Sequence, residues 1–256
     1  MIKKILLTTL IVLLAGGLLG CYFHFAGALA AEGREKALCD RVEVILLDSL
    51  ESAIVDKGEM ESLLAKAAIG RVTARIDLDS IERAIRAHGE VMSADVYTAD
   101  TRTLGVQISQ RKPVIRLENG SRRWYADPQG YLFPVTNAVD VPVVTGHLPL
   151  RLAEGYRGAV PDENRDWLLN LVALARYIDE KPVLRSEIAQ IDVAANGDLV
   201  LYTRTPGPAV IFGESTGYTE KFRKLEAWWR NIAPAAAGKP YKTINLKYNN
   251  QIICKL

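Results

Sequence analysis

The sequence predicts an α+β protein with an N-terminal transmembrane helix, a small mixed domain and a larger domain of mainly antiparallel β-sheet with flanking helices. Three observations support this fold class. Residues 5–31 contain no Lys, Arg, Asp or Glu, as expected for a membrane span. Residues 41–111 follow the order strand, helix, helix, strand, strand, which is typical of a small α+β domain. In residues 112–256, turn signals separate short apolar segments, which indicates antiparallel strands.

The composition excludes several classes of protein. With 256 residues, of which 49% are hydrophobic and 24% charged, the chain is typical of a folded protein of one or two domains. Its net charge of +2 gives no indication of a nucleic-acid partner. Three cysteines are too few for a disulfide framework. Cys39 and Cys254 remain candidates for a single bridge, although they lie at opposite ends of the folded region.

The N-terminal apolar segment predicts where the protein is located. Residues 5–31 exceed the length of about 20 apolar residues that a helix needs to cross a bilayer. Lys3 and Lys4 precede the segment, so the positive-inside rule places residues 1–4 in the cytoplasm as a short tail. We therefore predict a single-pass protein of the cytoplasmic (inner) membrane. A connector at 32–40 then leads to domains in the periplasm or its extracytoplasmic equivalent.

Two alternatives to a retained membrane helix stay open. The run Ala28-Leu-Ala30 is similar to a signal-peptide cleavage site, and Leu18-Leu-Gly-Cys21 is similar to a lipoprotein processing box. The apolar segment is longer than the about 7–15 residues of a signal-peptide core, and apolar residues continue well beyond Cys21. Both observations favour the retained helix.

The small domain is predicted from capping and periodicity. Asp56 and Glu59 have the spacing of a capping box and open the first helix. The second helix begins near Asp77 and ends before Gly89. Alternating apolar residues predict strands at 41–47, 91–98 and 103–110.

The larger domain is predicted from turn signals and two helical segments. Asn196-Gly-Asp198 separates two short apolar segments and predicts a β-hairpin. Residues 164–178 and 218–232 carry apolar side chains at helical spacing. Pro182 and Pro234 follow these segments and are predicted to lie beyond the helix ends.

The last sixteen residues, 241–256, predict a strand at the end of the chain. Ile244, Leu246 and Tyr248 fall on one face of such a strand, and polar residues alternate with them. A terminal strand often lies at a sheet edge, where unpaired backbone groups accept a strand from another protein. Without further information, an ordinary strand that binds no other protein is the alternative.

The sequence contains no recognisable catalytic, metal-binding or cofactor-binding motif. His24, His88 and His147 lack the spacing of metal ligands. The serines lack a Gly-x-Ser-x-Gly context, and the glycines form no phosphate-binding signature. Asp127 lies in Asp-Pro-Gln-Gly, which predicts a turn rather than a catalytic acid. We therefore predict a protein that is not an enzyme.

Several short motifs occur in an order that resembles a known family. They are Gln110–Pro113 (QRKP), Trp124–Asp127 (WYAD), Gly130–Pro134 (GYLFP), Pro142–Gly146 (PVVTG) and Ile244–Tyr248 (INLKY). With the N-terminal apolar segment and the strand-helix-helix-strand-strand order, they resemble the bacterial cell-division family FtsQ, called DivIB in Gram-positive bacteria. The resemblance covers essentially the whole chain.

The resemblance implies a POTRA domain at 41–111 and an FtsQ-type β domain at 112–256, both outside the membrane and without enzymatic activity or a cofactor. It implies a divisome scaffold at the division septum, linking FtsB and FtsL to septal peptidoglycan synthesis by FtsW and FtsI. A POTRA-type adaptor in envelope protein export or assembly is the alternative function.

The resemblance also implies where a partner binds, since the terminal strand of the family pairs with a segment of FtsB. Lys247 stands where the family usually has Arg, and Asn245 where it often has Asp. Lys keeps the positive charge but lacks the two-pronged geometry that Arg offers a carboxylate. Carried over by position, the contact falls on Thr243, Ile244, Asn245, Leu246, Lys247, Tyr248, Asn249 and Asn250.

Overall fold

The computed structural model of the chain describes residues 14–26, 36–48, 54–234 and 241–256. The chain divides into two compact units. The first comprises residues 1–49 and 55–109, and the second comprises residues 50–54 and 110–256. Each unit is described by itself.

The apolar N-terminal segment is described only in part. Residues 14–26 form helix α1. Within the residues that the structure describes, none of the helices combines the length and apolar character that crossing a bilayer requires. The remainder of the predicted span, residues 5–13 and 27–31, lies outside the described residues.

The first unit has the predicted order of elements. Its strands form a three-stranded sheet in the order β1-β3-β2, with β1 parallel to β3. Asp56 and Asp77 cap the two helices, because their side chains accept hydrogen bonds from the backbone N–H groups of Glu59 and Ser80 at 3.1 and 3.0 Å. The elements are β1 (Arg41–Leu46), α2 (Lys57–Ala68), α3 (Leu78–Arg86), β2 (Val91–Thr98) and β3 (Thr103–Gln110).

The helices of the first unit cover one face of its sheet. Met60, Leu64 and Ile85 from the helices are fully buried with Leu104 and Val106 from β3. Such one-sided burial explains the alternation of apolar and polar residues along β3. The core therefore lies between the sheet and α2 and α3.

The second unit contains a ten-stranded sheet in the order β13-β12-β11-β10-β9-β7-β4-β5-β6-β8. The pairs β4–β7, β7–β9 and β11–β12 are parallel, and the other neighbouring pairs are antiparallel. The prediction of a mainly antiparallel sheet is confirmed. The strands are β4 (Ile115–Asn119), β5 (Arg122–Ala126), β6 (Tyr131–Pro134), β7 (Val143–Gly146), β8 (Gly158–Ala159), β9 (Ile188–Val193), β10 (Leu199–Thr203), β11 (Ala209–Gly213), β12 (Thr243–Asn245) and β13 (Ile253–Lys255).

Three helices flank this sheet: α4 (Arg165–Asp179), α5 (Pro182–Glu187) and α6 (Tyr218–Asn231). The two longer helices match the predicted segments within one residue at each end. Pro182 does not simply follow a helix end, because it opens α5, a position where proline loses no hydrogen bond. The predicted hairpin turn at Asn196-Gly197 connects β9 to β10, and Gly197 has a φ of 84°.

The prediction of one terminal edge strand is wrong. Strand β12 ends at Asn245, after three residues, and it lies between β11 and β13 rather than at the edge. The side chain of Asn245 accepts a hydrogen bond from the N–H of Lys247 at 3.0 Å, a local turn that stops strand pairing. Asn250 has a φ of 59°, a left-handed conformation that asparagine tolerates. The chain thus turns back, and its last residues form the edge strand.

Candidate partner-binding site

The candidate site lies at the end of the ten-stranded sheet formed by β11, β12 and β13. Thr243 to Asn245 pair in parallel with Ala209 to Ile211. On the other side, Thr243 pairs antiparallel with Lys255, Ile244 with Cys254, and Asn245 with Ile253. Strands β11, β12 and β13 are therefore neighbours in the sheet, and β13 forms its exposed edge.

The predicted residues divide into a buried pair and an exposed group. Ile244 and Leu246 are fully buried in the core, so their side chains fix β12 in the sheet rather than face another protein. Tyr248, predicted to share their face, is instead 49% exposed. Thr243 and Asn245 are half-buried on β12, and Lys247, Asn249 and Asn250 are exposed.

A lysine from α6 supports the turn that follows β12. The Lys224 ammonium group donates hydrogen bonds to the carbonyl oxygens of Leu246 at 2.8 Å and Tyr248 at 2.7 Å. These two contacts satisfy backbone acceptors that are outside the strand ladder. The turn is therefore fixed to α6 independently of the strand that comes after it.

Lys247 pairs with a carboxylate of its own chain. Its ammonium nitrogen lies 2.6 Å from Oδ2 of Asp198, in the β9–β10 turn. The hydrogen bond from Lys247 lowers the pKa of the Asp198 carboxyl, and the same contact raises the pKa of Lys247. The stem of Lys247 lies against Gly213, where an added Cβ would approach Cγ of the lysine to 2.8 Å. A carboxylate of a binding protein would have to compete with Asp198.

A second lysine near this pair is partly buried. Lys221 donates to the carbonyl oxygen of Glu214 at 2.7 Å, and its ammonium nitrogen lies 4.8 Å from the centre of the Phe212 ring. Burial lowers the pKa of Lys221, because removal from water disfavours the charged form. Lys221 and Lys224 are thus bonded to backbone carbonyl groups, whereas Lys247 is paired with Asp198.

A groove of about 500 Å³ lies beside the turn. Arg223, Lys224 and Ala227 line it from α6, and Asn250 and Ile252 line it from the other side. Neither this groove nor β13 was predicted from the sequence. The dipeptide Asn249-Asn250 before the apolar Ile252 is the signal that would have indicated a turn followed by one more short strand.

The edge strand β2 of the first unit differs from the C-terminal edge. The N–H of Val96 donates to Oε1 of Glu82 at 3.1 Å, and Arg86 donates to the carbonyl oxygen of Ala94 at 2.7 Å. Glu82 and Arg86 also pair with each other at 2.8 Å. These α3 side chains occupy backbone groups that another strand would need.

Asp127 has a structural role in the described chain. Its Oδ1 accepts hydrogen bonds from the backbone N–H groups of Gln129 and Tyr131, both at 2.9 Å. These contacts confirm the predicted turn. Its Oδ2 accepts a hydrogen bond from Arg111 at 2.6 Å, and the Arg111 guanidinium lies 3.5 Å from the centre of the Tyr131 ring. The QRKP and YADPQGY motifs thus meet in one buried ion pair.

No group of three or more His, Cys, Asp or Glu side chains in the described parts of the chain is arranged to bind a metal ion. Cys21, Cys39 and Cys254 are free thiols, so the structure does not contain the candidate Cys39–Cys254 bridge.

Comparisons with known proteins agree on one family. A family model described as FtsQ/DivIB, C-terminal related, matches residues 112–255, and a POTRA-like domain matches residues 37–109. The cell division protein FtsQ of Rhodothermus marinus is 28% identical over 231 residues, covering 84% of this chain and 78% of that protein. The cell division protein FtsQ of Streptomyces bingchenggensis is 25% identical over 200 residues, covering 76% and 71%. Since the first family model alone spans more than half of the chain, the protein belongs to the FtsQ/DivIB family of cell-division proteins.

Proposed function

We propose that the protein is a non-enzymatic divisome scaffold that binds FtsB and FtsL and thereby connects them to the septal peptidoglycan synthase FtsW–FtsI. Family membership supports the scaffold role. The single observation that supports the binding site is the end of the ten-stranded sheet, where β12 is covered by only one three-residue strand. A segment of FtsB adds to the sheet at this end, within reach of Thr243 to Asn250.

Strand addition suits the chemistry of this edge. Backbone N–H and C=O groups supply most of the affinity in such complexes, and alternate side chains supply the specificity. The exposed Lys247, Tyr248, Asn249 and Asn250 lie directly after β12 and offer one cation and several hydrogen-bonding groups. They contact the bound segment where it passes the turn.

The N-terminal segment and the family support the proposed location. The protein crosses the inner membrane once, with residues 1–4 in the cytoplasm and both folded units in the periplasm, and it gathers at the division septum. A fluorescent fusion is expected at midcell in dividing cells. A uniform envelope signal would contradict the division role.

A backbone substitution tests the binding site. The N–H of Leu246 donates to Ile211 in β11, so the N–H of its neighbour Asn245 points away from β11, toward the outer edge. Asn245→Pro removes this donor and leaves the hydrogen bonds to β11 intact. We expect co-purification with the extracytoplasmic part of FtsB to fall at least tenfold.

Asn245→Ala is the matched control, since it loses the same side chain but keeps the N–H group. It is expected to bind FtsB within about twofold of the native chain. Unfolding curves establish that both variants are folded. A folded Asn245→Pro chain that binds FtsB at the native level would overturn the proposed site.

A further inference from the structure

The outer edge of β12 is covered by the chain's own last strand. Thr243, Ile244 and Asn245 pair antiparallel with β13, and the N–H of Lys242 donates to the carbonyl oxygen of Lys255 at 2.8 Å. Strand β13 therefore stands where a bound segment would pair with β12. Binding at β12 requires that β13 first leave.

Few buried side chains hold β13 in place. Ile253 is 37% exposed, Leu256 is 64% exposed, and Lys255 is also exposed. Ile252 and Cys254 are only partly buried against the core. Burial of apolar area is the main favourable term in strand packing, so β13 depends chiefly on its backbone hydrogen bonds to β12.

Strand β12 is also held by contacts that do not involve β13. On the side that faces β11, the N–H of Ala209 donates to the carbonyl oxygen of Lys242. The N–H of Leu246 donates to the carbonyl oxygen of Ile211, and both distances are 2.9 Å. Ile244 is fully buried, and Lys224 binds the turn that follows. Departure of β13 therefore leaves a preformed edge.

We infer that β13 is a displaceable strand that covers the binding edge until a partner strand replaces it on β12. The inference rests on the proposed function. The incoming strand runs antiparallel to β12, in the register of β13, with a small apolar residue in the place of Cys254 opposite Ile244. Polar or charged residues suit the positions of Ile253 and Lys255, where side chains face solvent.

Displacement makes a quantitative prediction about affinity. The apparent dissociation constant is the intrinsic constant divided by the fraction of molecules in which the edge is open. If β13 is paired in about 90–99% of molecules, a chain that ends at Asn250 binds FtsB about 10- to 100-fold more tightly. A truncated chain that is folded and binds no more tightly would overturn the inference.

A reversible cross-link provides the second test in the full-length chain. Thr243 and Lys255 are directly opposed, at a separation that suits a disulfide between cysteines. We introduce Thr243→Cys and Lys255→Cys together with Cys21→Ser and Cys254→Ser. The oxidised protein is expected to bind the extracytoplasmic part of FtsB at least tenfold more weakly than the same variant in its reduced form.

A cross-link elsewhere in the same sheet is the control. Gln190 and Tyr202 are opposed in the β9–β10 pair, and Gln190→Cys with Tyr202→Cys in the same serine background leaves β13 free. Oxidation of this control is expected to leave binding unchanged.

Three results separate the inference from the proposed function. Equal binding by the reduced and oxidised Thr243–Lys255 variant, with cross-linking verified by mass spectrometry, overturns displacement. If the cross-link has no effect but Asn245→Pro still abolishes binding, the proposed site stands and only the displacement of β13 is wrong. If Asn245→Pro binds like the native chain, the proposed site itself fails.

Discussion

The ion pair between Arg111 and Asp127 predicts a large loss of stability when its charge is removed. The Asp127 side chain is 2% exposed and that of Arg111 is 15% exposed. Asp127→Asn keeps Oδ1 as an acceptor for the two backbone N–H groups of the turn, but it places an NH₂ group against the guanidinium. The Nε of Arg111 is already buried without an acceptor in the described structure.

The cost follows from leaving a buried cation without its carboxylate. Removal of one member of a buried ion pair typically costs about 3–5 kcal/mol, and the partial exposure of Arg111 argues for about 3 kcal/mol. For a unit of this size, such a loss lowers the melting temperature by about 6–12 °C.

Glu220→Gln is the matched control, because the Arg223–Glu220 pair has nearly the same length, 2.7 Å, against 2.6 Å for Arg111–Asp127. Its side chains are 74% and 48% exposed, and exposed pairs contribute only about 0.2–1 kcal/mol. The four tryptophans all lie between residues 124 and 229, so denaturation followed by tryptophan fluorescence reports on the second unit. Equal losses from Asp127→Asn and Glu220→Gln would refute the argument that burial sets the cost.

Three further predictions concern the core, an edge and a charged pair. Gly105→Ala is expected to destabilise the first unit by about 1–3 kcal/mol, because the new Cβ would approach the Tyr97 ring to 2.5 Å. In urea denaturation, the same substitution should lower the free energy of unfolding by less when Tyr97→Ala is already present. Glu82→Ala frees the outward N–H of β2 and is expected to cause self-association at high concentration, and an unchanged sedimentation coefficient would contradict this. Asp198→Asn is expected to remove a stabilising contribution that is present above the ordinary aspartate pKa of 3.8 and is lost as the pH falls through the lowered pKa of the folded carboxyl. The stability difference from the native chain, measured from pH 7 downward, should therefore shrink as the pH falls below 3.8.

Local patterns predicted the elements whose burial is set by their own sequence. Helices α4 and α6 were predicted within one residue at each end, because apolar spacing along a helix directly records which face is buried. Asp56 and Asp77 were predicted as helix starts because a cap is a contact between neighbouring residues. The strand-helix-helix-strand-strand order followed from the same local signals.

The contacts that define the candidate site are not local, and the sequence did not predict them. The ion pair of Lys247 with Asp198 joins residues 49 positions apart, and alternation cannot indicate which acid a lysine meets. Alternation also continues through Leu246 and Tyr248 although the strand has ended. Leu246 is buried although the strand has ended, whereas Tyr248 is 49% exposed, so alternation beyond Asn245 predicts neither strand pairing nor burial.

Two other edge strands, β2 and β8, are less suited to partner pairing than the proposed site at β12. An open edge strand is prone to pair with other chains, and β2 avoids this through the Glu82 and Arg86 side chains that bind its backbone. Strand β8, at the opposite end of the larger sheet, contains only two residues, Gly158 and Ala159, and offers too short a template for another strand.

The C-terminal edge is protected in a different way, by a strand that can leave without emptying the core. Removal of β13 withdraws only partly buried or exposed side chains, whereas Ile244 and Leu246 stay packed and β11 keeps its hydrogen bonds to β12. Such a cover restrains indiscriminate pairing in the unbound protein, because another strand reaches Thr243–Asn245 only by replacing Ile253–Lys255. These three residues of β13 therefore limit both self-association at this edge and the access of other strands to β12.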